Sequence, residues 1–122
     1  GGAVEDVQAQ LQRVARANIE VTQVAAAFSS DASPLRADVT AAVTAAVHAS
    51  YPDALVSPGM SSGATDGVYF RGAGIPTYGT GGVFMKLSDE FSHGLNERIP
   101  VDGFYNGLTH WRVLITNLAG RR

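Results

Sequence analysis

ALVSPGMSSGATDGVYFRGAGIPTY, from Ala54 to Tyr78, is the stretch that separates an all-helical chain from an α/β one. Ala54-Leu55-Val56 is a short apolar run that ends at Pro58-Gly59, so it reads as a strand. Ser61-Ser62-Gly63-Ala64 is a loop of small residues. Thr65 or Asp66 is placed to cap a short helix through Val68, Tyr69 and Phe70, and Gly72 and Gly74 stop it. Ile75-Pro76-Thr77-Tyr78 resumes as an extended segment, with Pro76 marking the start or edge of a strand. The order within this stretch is strand, loop, helix, strand.

Upstream, Ser33 is a good N-cap and Pro34 a good first residue for a helix running to Ser50. Its apolar stripe is Leu35, Val39, Ala42, Val43, Ala46 and Val47, and Pro52 lies just beyond its end. Ser29 to Pro34 is a polar linker, read as a domain boundary. Before it, Val4 to Ala17 has helical spacing, with Val4, Val7, Leu11 and Val14 on one face. Glu5 and Asp6 fall in its first turn, where acids favour the helix dipole. Asn18 is a natural end, and Ile19-Glu20-Val21-Thr22 alternates as a strand.

Downstream, Gly79 to Ser92 reads as a long loop, a feature that is usually functional or disordered. Asp102 is placed to cap a last helix with the stripe Phe104, Leu108, Trp111, Ile115 and Leu118, stopped by Gly120. Helices alternating with short strands in this way predict a three-layer α/β sheet.

The 122 residues suit one domain or part of a larger protein. Composition is globular, with 45% hydrophobic and 16% charged residues and a formal charge of −2. No basic patch points to nucleic acid. No window approaches the roughly 20 apolar residues that a membrane span needs. No secretory signal stands at residue 1, which says nothing of export if that is not the natural start, so cytoplasmic and exported locations both stay open. The absence of cysteine excludes a thiol nucleophile, a disulfide framework and a zinc-thiolate site.

Of three histidines, His93 sits in the polar, glycine-flanked run Phe91 to Ile99, where the backbone is free to turn. It is the candidate metal ligand, against the plainer reading of an exposed loop histidine. His48 and His110 lie off the apolar stripes of their helices, and no two histidines have the spacing of a helical zinc motif. The loop 61–66 before the short helix is either an anion-binding turn for a substrate carboxylate or an ordinary capped turn. A serine triad is rejected, since no Gly-x-Ser-x-Gly elbow is present. Gly79-Thr80-Gly81-Gly82 lacks the Lys-Ser/Thr of a phosphate loop. Glu97 and Arg98 are read as a surface ion pair.

Ser62-Gly63-Ala64-Thr65-Asp66, then Arg71-x-x-Gly74-Ile75-Pro76-x-x-Gly79, then His93-Gly94-x-Asn96-Glu97-Arg98-Ile99 occur in one order. Together they resemble the C-terminal part of the di-zinc aminoacylase/carboxypeptidase metallopeptidases. That family includes glutamate carboxypeptidase, acetylornithine and succinyl-diaminopimelate deacylases, aminoacylase and the Gly-Xaa carboxypeptidase. Tyr51-Pro52 and the His-Gly-x-Asn-Glu-Arg-Ile-Pro ending are closest to the carboxypeptidase-S-like branch. The likeness covers most of residues 33–118.

The resemblance implies that residues 1–28 are the last helix and strand of a ferredoxin-like lid or dimerisation domain. It implies a hinge at 29–34 and the C-terminal part of an α/β/α catalytic domain at 35–122. It also implies metal-assisted hydrolysis of a peptide C-terminus or an N-acyl amino acid, with two zinc ions in the complete enzyme. His93 matches a zinc ligand. Gly63, Ala64 and Thr65 match the loop for the substrate's carboxylate end, and Asp66 and Glu97 match acids that cap or support. The family's other zinc ligands, its catalytic glutamate and the lid histidine have no counterpart here. The chain alone is therefore expected to be inactive, with the missing N-terminal segment as its partner. A homodimer through residues 1–28 is also admitted. The competing readings are a non-catalytic α/β binding or dimerisation module and a small-ligand domain using Gly63 to Asp66.

Overall fold

The computed structural model describes residues 3–25, 28–61 and 63–120. Among the described residues four helices form, α1 (Val4–Val14), α2 (Ala37–His48), α3 (Gly67–Gly72) and α4 (Val101–Ala119), with a 3-10 turn over Leu87–Asp89 before α4. Among the described residues there is no strand, which overturns the expected three-layer α/β/α sheet and the strand of the lid. Among the described residues the segments read as strands form no ladder, and a strand exists only with a hydrogen-bonded neighbour. Several of their polar backbone groups pair with side chains instead.

Ser33 shows this substitution most clearly. Its hydroxyl donates to the Thr77 carbonyl and accepts the Thr77 N–H, both at 2.8 Å. Tyr78 Oη donates to the Pro34 carbonyl at 2.7 Å, and Arg71 Nε donates to Ser30 Oγ at 2.9 Å. Side chains thus stitch the segment 28–36 along 69–78. Ser33 is consequently not an N-cap: α2 starts later, with Arg36 in the cap position and no side-chain cap bond. Likewise, Ile19–Val21 is held by α1 glutamines, with Gln12 Nε2 donating to the Ile19 carbonyl and the Val21 N–H donating to Gln12 Oε1. Helix α1 stops at Val14, short of Asn18.

The core lies between α2 and α4, among the described residues the only pair of elements that pack on each other. Ala42, Ala46 and Leu114 form it, flanked by Val43 and Val113. On α4 the inward face is Gly103, Gly107, His110 and Leu114, and the expected core stripe points outward. Phe104, Leu108, Trp111, Ile115 and Leu118 keep 44–58% of their surface in solvent. The reason is steric. Gly103 and Gly107 open a groove one turn long that receives the extended segment Gly82-Val83-Phe84. A Cβ on Gly107 would stand 3.3 Å from the Val83 side chain, and one on Gly103 would stand 3.3 Å from the Phe84 carbonyl. At Gly82 a Cβ would fall 2.4 Å from that of His110, so no side chain fits there. Tyr51 closes this end, 4.5 Å from the Phe84 ring, with its hydroxyl accepting from Asn106 at 2.9 Å.

Helix α3 ends as expected from its glycines, with Gly74 as the working stop. Gly74 has φ +79°. The Ile75 N–H reaches back to the Phe70 carbonyl and the Gly74 N–H to Arg71, both at 2.9 Å, the Schellman pattern of a left-handed cap. Asp102 makes no cap bond on α4, where Pro100 holds the cap position. No helix among the described residues is long and apolar enough to cross a membrane.

Candidate functional site

His93 stands at the tip of a β-turn. The Gly94 N–H donates to the Phe91 carbonyl at 2.9 Å, and His93 has φ +62°, the only positive value at a non-glycine residue described. Ser92 has negative φ, so the turn is type II with His93 where glycine or asparagine ordinarily sits. The left-handed region costs an L-residue about 1–2 kcal/mol. Such outliers cluster where a side chain must be aimed. The imidazole is exposed.

The turn rests on its own neighbours. Glu90 accepts the Ser92 N–H at 2.8 Å and also the Ser92 hydroxyl. These bonds, the hydroxyl first, hold the Glu90 carboxyl below its ordinary range, and His93 adds a smaller electrostatic pull in the same direction. The Arg98 guanidinium lies 3.9 Å over the Phe91 ring and 4.0 Å from Asp89. Arg98 therefore closes the loop across its base and is not the partner of Glu97. Glu97 is exposed, and its N–H donates to the Gly94 carbonyl at 3.2 Å.

Gly63, Ala64, Thr65 and Asp66 lie together, exposed, in the turn that enters α3. Ser62 lies outside the described residues. The Gly63 N–H donates to Ser61 Oγ, and Thr65 Oγ1 accepts the Gly67 N–H, both at 3.2 Å. Thr65 does the capping, and Asp66 makes no cap bond. Among the described residues no hydrogen bond or ion pair joins this turn to His93 or Glu97. Nor do any three His, Cys, Asp or Glu side chains gather as a metal site. The donor set fits one ligand of a metal centre, His93, and not a whole centre.

The other histidines separate sharply. His48 is exposed, with Nε2 3.0 Å from the Ala54 carbonyl. His110, which lies off the predicted stripe, is the most deeply buried polar side chain, at 2% exposure. Its Nε2 meets Thr80 Oγ1 at 3.2 Å, and Nδ1 has no partner. Burial pushes its pKa down. The sequence carried a sign of this: Gly103, Gly107, His110 and Leu114 recur at helical spacing as a second face. Because two of its members have no side chain, that face does not read as apolar.

No curated protein and no solved structure matches this chain. The family model described as "Peptidase family M20/M25/M40" matches residues 3–117. Its proteins are metal-dependent hydrolases in general. The match also extends further toward the N-terminus than the motifs at 33–118, and takes in α1 and the segment after it. With nearly the whole chain matched, this protein belongs to peptidase family M20/M25/M40.

Proposed function

We propose that this chain supplies one zinc ligand and part of the substrate pocket of an M20-type carboxypeptidase or aminoacylase. The observation that carries the reading is the left-handed turn that holds His93 exposed at its tip. His93 contributes one imidazole to the centre. Gly63, Ala64 and Thr65, exposed in the turn before α3, face the substrate's carboxylate end. Asp66 and Glu97 support these two loops without binding metal. Zinc bound in such a centre polarises the scissile carbonyl and acidifies water. A catalytic zinc needs about three protein ligands, so the remaining donors and the general base come from another polypeptide segment. Alone, the chain is inactive.

The test is a zinc titration of the chain, followed by the ring resonances of its histidines, with turnover of N-acyl amino acids and dipeptides measured in parallel. Weak, saturable zinc binding at His93, lost in His93→Ala, and no turnover are expected. Tight zinc uptake that survives His93→Ala would sink the proposal. So would hydrolysis by the isolated chain.

The second reading, a non-catalytic binding or dimerisation module, draws on α1. Its apolar residues Val7 and Leu11 stay about half exposed, at 49% and 50%, beside a groove of about 260 Å³ formed with Val21 and Thr22. Sedimentation decides here: a folded chain that stays monomeric at high concentration counts against pairing through α1.

A further inference from the structure

We infer that the joint between α4 and the segment Gly79 to Phe84 is an acid-released latch, with His110 as the group that releases it. The segment is held lightly. Among the described residues it forms no backbone–backbone hydrogen bond, and its one hydrogen bond of any kind joins Thr80 Oγ1 to His110 Nε2 at 3.2 Å. The rest of its attachment is packing. Gly82 lies against His110 and Gly107, the Val83 side chain against Gly103 and Gly107, and Phe84 against Tyr51. His110 is 2% exposed, and its Nδ1 has no partner. Helices α2 and α4, by contrast, keep their own backbone bonds and share the core of Ala42, Ala46 and Leu114.

A second proton on the imidazole makes both of its nitrogens donors. Thr80 can accept from one of them. The other becomes a charged donor without an acceptor, in a place closed to water. Burying an unpaired charge costs far more than leaving a neutral polar atom unpaired, so the protonated ring favours any movement that wets it. No carboxylate neutralises it in place. On α2 the charged or titratable groups are Asp38, paired with Arg36, and His48 in the last turn. Beyond α2, the Tyr51 hydroxyl accepts from Asn106. Helix α4 carries Asp102, Tyr105 and Arg112. Tyr78, bonded to the Pro34 carbonyl, and Lys86 flank the segment. Among the described residues none of these bonds to the His110 ring. Of the walls around the ring, the segment alone has no backbone bonds to break, so it is the part that moves. Its release unties the upstream end of the loop 85–100, whose downstream end stays joined to α4.

The experiment is an NMR titration of the full chain from neutral to mildly acidic pH, with the three histidine rings followed separately. The closed joint holds His110 below its ordinary pKa of 6.5 by burial. Between about pH 6.5 and that lower value, the released population should rise about tenfold per pH unit, the slope for one proton, and then level off. Cross-peaks from the Val83 methyls to Gly107 should fade, and the Phe84 ring signals should move toward free-chain positions. Both changes should share the midpoint of the His110 ring. Far-UV circular dichroism and the amide protection of Ala46 should hold throughout. His110→Gln keeps a polar partner for Thr80 but takes no proton, so its cross-peaks should persist across the range. A His110 ring that titrates while the cross-peaks stand overturns the inference. So does loss of protection in α2 and α4 at the same midpoint, which would be unfolding of the whole rather than release of a latch. Fading cross-peaks in His110→Gln on the same curve would assign the response to another group. The first two outcomes are read on the unaltered chain and decide even where His110→Gln does not close the joint.

Discussion

At the scale of single residues, His93 occupies a left-handed backbone conformation that costs stability. Asparagine tolerates the left-handed region better than most residues. His93→Asn should therefore leave the denaturation midpoint unchanged or raise stability by up to about 1 kcal/mol, while the zinc response disappears. A clear loss of stability in a urea titration would show that the imidazole is packed rather than presented. Ser33 works in the opposite sense, as a purely structural residue with two hydrogen bonds to Thr77. Ser33→Ala should cost about 1–3 kcal/mol, since both Thr77 backbone groups lose their partner. A change within a few tenths would mean that water replaces the hydroxyl there. Both His93 and Ser33 stand out in the sequence, His93 through its motif and Ser33 through its position before Pro34. For Ser33 that signal misleads. Ser33 looks like a cap because Ser-Pro before a helix usually is one, and only the segment 44 residues away reveals its other use.

At the scale of elements, the joint between α4 and the segment Gly79 to Phe84 is the tightest in the molecule. Gly82→Ala would press a methyl group onto His110 and should destabilise by about 1–3 kcal/mol, measurable as a fall in the thermal midpoint with α2 and α4 still formed. The same joint is sensitive to acid. His110 is held neutral by burial, and its folded pKa lies below the ordinary value near 6.5. No charged residue lies on the segment Gly79 to Phe84. On α2 the charged or titratable groups are Asp38, paired with Arg36, and His48 at the far end. On α4, besides His110 itself, they are Asp102, Tyr105 and Arg112. In the window between the two pKa values the unfolded chain binds the extra proton, so stability rises with pH there and is lost as pH falls below about 6.5. His110→Leu should flatten that dependence. An equal slope in the variant would place the titration elsewhere. Helix positions were legible here because glycine, proline and apolar spacing are local signals. Which face of α4 turns inward was not, because the groove is built from missing side chains.

At the scale of the whole molecule, the surface is too large for a closed globule. The accessible area is 9978 Å², against about 6,200 Å² expected for a folded monomer of this mass. The outward stripe of α4 accounts for part of the difference, together with Leu55, Met60, Leu87 and Leu95, each at least 91% exposed. Trp111 should consequently emit at long wavelength and be quenched by iodide. Shielded, short-wavelength emission from the dilute chain would show that the stripe is covered. The sheet was predicted from single extended segments, but a sheet is a property of pairs. The stretch Ala54 to Tyr78 carries local strand signals and cannot announce a neighbour.

The Ser33–Thr77 clasp has one more consequence at this scale, for where the polypeptide can be rebuilt. It closes a loop of 44 residues whose segment Ser57 to Ser61 is exposed and outside any helix. Ring closure depends only logarithmically on length, so ten added residues there would cost about 0.2 kcal/mol. That segment is therefore the natural place to insert an epitope or a fluorescent label. The same insertion between Thr80 and Phe84 would force apart surfaces that have no room for a methyl group.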